Sequence, residues 1–133
     1  MIQTKSVRTY PSPDDGMRVL ILGFEGVLGV DVFSNLILPT LVYEEEAASL
    51  RPSRLRLDLY SKGTIGWRSF EELYRAEICR SDRAYREIER YAALSQEMPV
   101  TFLDMCETPE CSLRRIIAQM CGCVISKVSL LIE

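Results

Sequence analysis

The sequence predicts an α/β domain in which a small parallel sheet carries an inserted block of helices. Two apolar runs, residues 18–22 and 100–103, have the length and composition of strands buried on both faces of a sheet. Helical spacing dominates the stretch between them, about residues 40–98. A further helix and strand follow the second run, and strands that alternate with helices are typical of a parallel sheet.

The composition limits the classes of function. The chain has 133 residues, of which 47% are hydrophobic, so one domain with a real core is expected. Its net charge of −3 lacks the basic excess of nucleic-acid-binding proteins, so we expect no nucleic-acid partner. Histidine is absent, which removes the commonest general base and every imidazole metal ligand.

The absence of targeting features predicts where the chain works. No apolar run approaches the roughly 18 residues that span a bilayer, and the N-terminus has no hydrophobic signal-peptide core. The five cysteines are an odd number, which argues against a disulfide framework. These observations favour a cytoplasmic protein without a membrane partner.

The first 17 residues are predicted as a flexible N-terminal arm, because Pro11, Pro13 and the turn-like Asp14-Asp15-Gly16 interrupt any regular pattern. Residues 18–133 then form the single α/β domain. Its first strand is the apolar run that ends at Gly23.

Four helical patterns make up the inserted block. Residues 43–50 form a short segment with an acidic start, and Ser53 caps a second helix that stops at Gly63. Apolar residues recur at helical spacing from Trp67 to Ile78, and Ser81 caps a last helix.

The end of the chain is predicted as strand, helix and strand. Thr108-Pro109-Glu110 has the composition of a helix start, and Gly122 is the expected stop. Residues 127–132 are rich in apolar and β-branched side chains, which favours a third strand.

The stretch "ILGFEGVLG" contains Gly23, Gly26 and Gly29 after the first strand. This spacing is similar to the dinucleotide loop of short-chain dehydrogenase-like Rossmann proteins, which implies an NAD(P)-binding function. No acidic residue closes a second strand about 20 residues later, where the ribose contact belongs.

The longer stretch "VLILGFEGVLGVD" resembles motif I of the haloacid dehalogenase-like superfamily, an apolar strand followed by Asp-x-Asp-Gly-(Val/Thr)-Leu. Residues 24–28 keep the tail of the motif, with Glu25 at its second acid. "LYSKGTIGWRSFEELYRAEI" resembles the family's helical cap. "KVSLLIE" resembles the strand before the metal-binding acids and places Glu133 near the first of them.

This resemblance implies a Rossmann-like sheet with a cap, but it also implies that catalysis is lost. Gly23 stands at the position of the nucleophilic aspartate, and glycine can neither attack phosphorus nor ligate a metal. Asp104 stands at the motif II hydroxyl position, and Arg114 or Arg115 could supply the motif III cation. The expected function is binding or assembly, with Gly23, Phe24, Glu25 and Gly26 as ligand-binding residues.

An active phosphohydrolase of the same superfamily remains an alternative. It would keep Glu25 as its acid and would need Mg²⁺; otherwise no cofactor is expected. A third alternative is that residues 112–133 resemble a helix-turn-helix of the lac-repressor type, with Gly122 at the turn. The segment carries little positive charge after the turn, which argues against contact with DNA phosphates.

Two further clusters suggest contacts. The cysteines at 106, 111, 121 and 123 have awkward spacing for a zinc site, so no metal site is expected. One helix carries an arginine face at three- and four-residue spacing, which would suit an acidic partner: Arg80, Arg83, Arg86 and Arg90. A sheet of three or so strands also leaves edges to cover, which predicts a homo-oligomer or a protein partner.

Overall fold

The computed structural model describes residues 1–23, 42–106, 108–125 and 130–133. Within these residues, five strands form one parallel sheet in the order β3-β2-β4-β1-β5, and four α-helices share a core with it. The predicted α/β class with a small Rossmann-like sheet is therefore confirmed. The strands are β1 (Ile2–Ser6), β2 (Met17–Leu20), β3 (Glu45–Glu46), β4 (Val100–Asp104) and β5 (Leu130–Ile132); the helices are α1 (Arg54–Ser61), α2 (Trp67–Arg80), α3 (Asp82–Leu94) and α4 (Leu113–Val124).

The N-terminus departs most from the sequence prediction. Residues 1–17 are not a flexible arm, because β1 lies inside the sheet between β4 and β5. Its polar composition hides it from a hydrophobicity pattern. Gln3 donates from Nε2 to the carbonyl of Asp14 (2.9 Å), and the Thr4 hydroxyl accepts from the amide of Glu133 (3.0 Å). Because such polar groups find partners, this sequence can form an inside strand.

The connection from β1 to β2 crosses one face of β4 without an α-helix. Thr101 of β4 donates its hydroxyl to the carbonyl of Asp15 (2.7 Å), which fixes the connection on that face. Gly16 follows with φ = 62°, and a Cβ there would lie 2.0 Å from the carbonyl oxygen of Pro99. Only glycine fits this crossing, because both the backbone angle and the space exclude a side chain.

Three helices of the block begin and end close to where the sequence predicts. Ser53 caps α1 by accepting from the amide of Arg56, and Gly63 follows the helix with φ = 74°. Ser81 ends α2 and caps α3 through the amide of Ala84. Residues of all four helices and of the sheet belong to one continuous core.

The prediction for residues 43–50 is wrong: they form β3 and a 3-10 turn instead of a helix. The amide of Glu44 donates to Arg18 O, and that of Ala47 donates to Leu20 O, each at 2.9 Å. Hydrogen bonds to β2 therefore replace the helical ones. Among the described residues, β3 and β5 are the edges of the sheet.

The bounds of the last helix also differ from the prediction. Its cap is Ser112, which accepts from the amide of Arg115, so Thr108-Pro109-Glu110 precedes the helix. Gly122 does not stop it, because α4 continues to Val124. Residues 130–132 form β5, which pairs with β1, so the recognition-helix alternative is wrong for them. Residues 126–129 lie outside the described residues.

Candidate functional site

A cavity of about 260 Å³ lies where the chain leaves β2 and β4 and where α1 and α2 approach the sheet. The carboxyl ends of parallel strands are the usual place for ligands in open α/β sheets. Its described lining is mostly apolar and contains no lysine or arginine; it comprises Gly23, Leu57, Tyr60, Ser61, Trp67, Phe70, Asp104, Met105, Cys106, Cys111 and Leu113.

One wall of the cavity is a cluster of aromatic rings. The end of α1 supplies Tyr60 and the start of α2 supplies Trp67 and Phe70. Each pair of these rings has its centroids 5.2–5.4 Å apart. Rings at these distances stabilise one another beyond simple burial. The Nε1 atom of Trp67 is buried and finds no hydrogen-bond partner in the described part of the chain.

Asp104, at the end of β4, also lines the cavity and forms a buried ion pair with Arg114, which is not itself a lining residue. One oxygen of the Asp104 carboxylate forms an ion pair with the Arg114 guanidinium. The backbone amide of Arg114 donates to the second carboxylate oxygen at 3.0 Å. Burial raises the pKa of Asp104, and the hydrogen bonds from Arg114 and the amide of Cys106 oppose the rise without cancelling it. The Arg114 side chain also donates to the carbonyl of Cys106 (2.6 Å) and to the backbone oxygen of Glu133. Arg114 thus ties together β4, the following segment and the chain beyond β5.

Two thiols also line the cavity. Cys106 Sγ donates to the carbonyl oxygen of Cys111 at 3.3 Å, and both residues are exposed. Burial raises the pKa of Tyr60, and the nearby Cys111 and Cys106 raise it further. The hydroxyl of Tyr60 therefore lies near enough to both thiols for their charges to interact.

The structure places the motif residues partly at this cavity. Gly23 lines it, as does Asp104, whereas Phe24, Glu25 and Gly26 lie outside the described residues. Of the two candidate cations, Arg114 is the one beside Asp104.

The other members of the predicted motifs lie elsewhere. Arg115 pairs instead with Glu71 of α2, and burial, which alone would raise the pKa of Glu71, is outweighed by Arg115 and Arg75. Glu133 contacts Thr4 and Arg114 through its backbone.

The described residues of the cavity do not fit a magnesium ion. Mg²⁺ takes oxygen ligands, several of them water or carboxylate. Asp104 is the one carboxylate of the described lining, and Arg114 already holds it. No group of three or more cysteine or acidic side chains in the described ranges could hold a metal.

The four residues of the predicted arginine face have different surroundings in the structure. Arg90 pairs with Glu87 and Glu45 and lies over the ring of Tyr91, with 4.6 Å from its guanidinium carbon to the ring centroid. The other three, Arg80, Arg83 and Arg86, are exposed, and none forms an ion pair within the described residues. Arg90, one of the four candidate interaction residues, therefore makes its contacts within the domain.

Sequence reasoning missed most of the cavity. It used Trp67 and Phe70 as part of the apolar helical pattern from Trp67 to Ile78, and Phe70 is indeed buried in the core. The signal that could have located the cavity is the pair Cys106 and Cys111, which follows the predicted second strand at the edge where sites form.

The chain matches no protein-family model, no curated protein and no solved structure. Among the described residues, no helix is both long enough and apolar enough to cross a membrane. The cavity is therefore interpreted from its own chemistry.

Proposed function

We propose that this chain is a binding protein that takes a small, uncharged aromatic molecule in the cavity at the carboxyl edge of the sheet. It is a catalytically degenerate haloacid dehalogenase-like domain that works without turnover. The observation that carries the proposal is the aromatic wall formed by Tyr60, Trp67 and Phe70 around an open volume of about 260 Å³.

The size and polarity of the cavity select the ligand class. Pockets for drug-sized molecules begin at about 300 Å³, so this one suits a compound with a single ring. Its lining offers no lysine or arginine in the described ranges, which makes a phosphate or carboxylate a poor match. The buried Nε1 of Trp67 needs an acceptor, which a hydroxyl group on the ring would provide.

The experiment follows the indole N–H of Trp67 by NMR while p-cresol is added. Trp67 is the one tryptophan in the sequence, so its indole gives a single resonance that reports on this cavity. We expect a saturable shift with a Kd on the order of 1 mM or tighter, which corresponds to about −4 kcal/mol. Benzoate, the charged counterpart, should bind more weakly.

A matched pair of variants locates the binding. Ser61 is exposed and lines the cavity, so Ser61→Phe places a ring in its mouth and should weaken p-cresol binding by about tenfold or more. Ser69→Phe adds the same ring at an exposed position of α2 outside the lining and should leave binding unchanged. No saturable shift in the native chain, or an equal loss in both variants, contradicts the proposal.

The absence of turnover is tested separately with p-nitrophenyl phosphate and Mg²⁺. Gly23 provides no nucleophile, so we expect no hydrolysis above the rate without protein. Hydrolysis that disappears in Glu25→Ala would show an active phosphohydrolase and would contradict the proposal that the domain works without turnover.

A second candidate function is self-association through β5. This three-residue strand is an edge of the described sheet, and its Leu130 and Leu131 are 41% and 42% exposed. An edge with exposed apolar side chains can pair with another strand. We infer that a second copy of this chain covers it. Sedimentation should give a dimer for the native chain and a monomer for Leu131→Lys; a native monomer contradicts the inference.

A further inference from the structure

Cys106 and Cys111 lie at the two ends of the short connection between β4 and α4. The Cys106 sulfur is 3.3 Å from the carbonyl oxygen of Cys111. That oxygen is within about 2.8 Å of its own Cα along two bonds, so the Cys106 sulfur lies no more than about 6 Å from the Cys111 Cα. A disulfide joins two cysteines whose Cα atoms lie about 4.4–6.8 Å apart. The approach of the Cys106 sulfur to the Cys111 backbone brings the two cysteines to the same place in the connection.

The other three cysteines have different surroundings. Cys121 is buried inside α4, its thiol donates to the carbonyl of Ile88, and burial raises its pKa to about 12. Cys79 and Cys123 are exposed on helices α2 and α4 and line a separate groove. Cys106 and Cys111 are thus the two thiols that share the cavity and lie outside helix and strand.

We propose that Cys106 and Cys111 form a reversible internal disulfide at the cavity, with a low-molecular-weight disulfide such as glutathione disulfide as the oxidant. One protein thiolate attacks the oxidant, a protein–glutathione disulfide forms, and one glutathione thiolate leaves with the electron pair. The second protein thiolate then attacks the protein sulfur of this mixed disulfide, and the second glutathione thiolate leaves. The two thiol protons end on the two glutathione molecules, so two cysteines are oxidised and one disulfide is reduced.

The bond would change the cavity directly. It removes two thiol donors from the lining and ties the connection next to Asp104. This consequence, unlike the bond itself, rests on the proposed binding function. Because the Cys106 thiol already donates to the carbonyl of Cys111, a ligand loses one available donor, and p-cresol should bind about fivefold more weakly to the oxidised chain.

The sequence allows a direct test by peptide mapping. No lysine or arginine lies between Arg90 and Arg114, so one tryptic peptide, residues 91–114, contains both cysteines. After the native chain is incubated with glutathione disulfide and then denatured and alkylated, we expect this peptide to be two hydrogen atoms lighter and unalkylated. Dithiothreitol should restore both thiols.

Internal and matched controls accompany the measurement. The tryptic peptide 116–127 contains Cys121 and Cys123 and should keep two alkylated thiols. Cys111→Ser should leave Cys106 as a thiol or a glutathione adduct, whereas Cys79→Ser should leave the internal bond intact.

Several results would overturn the proposal: two alkylated thiols in the peptide 91–114 of the native chain, glutathione on both cysteines without an internal bond, or a bond to another cysteine. The mapping needs no ligand and no variant. Its failure leaves p-cresol binding untouched, and a failure of p-cresol binding leaves the disulfide untouched.

Discussion

Two buried carboxylates, Asp15 and Asp104, each pair with an arginine, yet they lie on opposite faces of the sheet and their pKa values shift in opposite directions. Asp15 lies against Thr101 of β4, on the face crossed by the β1–β2 connection. Asp104 is an odd number of residues away along the same strand, so it points to the helical face and the cavity.

Within the described residues, the two carboxylates accept equally many hydrogen bonds but differ in the number of cations that they contact, two at Asp15 and one at Asp104. Burial alone would raise the pKa of Asp15, but Lys5, the amide of Ser12 and Arg18 together hold it below its usual value. Asp104 has one cation, and that cation also serves two backbone oxygens. The donors around Asp15 outweigh the desolvation of its carboxylate, whereas the donors around Asp104 offset only part of it. Incompletely compensated buried charges are typical of functional sites.

The largest expected effect comes from breaking the pair at the cavity. Arg114→Met leaves Asp104 buried without its cation and should lower the free energy of unfolding by about 4 kcal/mol. Urea denaturation measures this. Asp104→Asn combined with Arg114→Met should recover part of the loss, because no buried charge remains. A double variant as unstable as the single one contradicts the explanation.

Substitution of Gly16, where the β1–β2 connection crosses β4, should lower the free energy of unfolding nearly as much. Gly16→Ala drives a Cβ into the carbonyl of Pro99 at a positive φ and should cost about 3 kcal/mol. Gly63→Ala also has a positive φ but meets nothing within 4 Å, so it should cost about 1 kcal/mol. Thermal unfolding of both variants tests the contrast, and equal losses would mean that contact with Pro99 has no effect.

The hydrogen bonds of the Asp15 carboxylate should make the free energy of unfolding depend on pH. Asp15→Asn should lower stability at pH 7 by about 2 kcal/mol, because it removes a charge that accepts three hydrogen bonds. A carboxylate with a lowered folded pKa contributes stability above its unfolded pKa of about 3.9 and loses it as the pH falls through the folded value. The gap between native and variant should therefore close as the pH falls below about 4, as followed by urea denaturation. Parallel curves contradict this assignment.

The smallest effect concerns the helix that presents Arg114. Ser112 accepts from the amide of Arg115 and donates to the carbonyl of Pro109 (2.7 Å), so Ser112→Ala should cost about 1 kcal/mol. Thr108→Ala, at the cap that the sequence predicts, should cost less than about 0.5 kcal/mol. Larger loss at Thr108 would restore the predicted start of the helix.

Local rules determined much of the fold from the sequence. Buried apolar runs identify β2 and β4, because both faces of an inside strand exclude water. Ser53, Ser81 and Gly63 mark helix ends, because capping and positive φ need only a few neighbouring residues.

The candidate site was predicted less well. Gly23 follows from a motif, but the ring cluster joins residues from two helices, and most of the rest of the lining comes from the end of β4 and the segment that follows it. No local pattern contains that contact.

The sequence by itself determined the class of this protein, a parallel α/β domain with a helical block, since periodicity and capping depend on neighbours in the chain. Tertiary structure alone decided that polar β1 lies inside the sheet, because Gln3, Lys5 and Thr4 find their partners at Asp14, Asp15 and Glu133. It also decided that Asp104 pairs with Arg114 at a cavity, because that pairing depends on where α4 starts. Burial of a polar group is favourable only once its partner is in place, and the partner's position is a property of the fold.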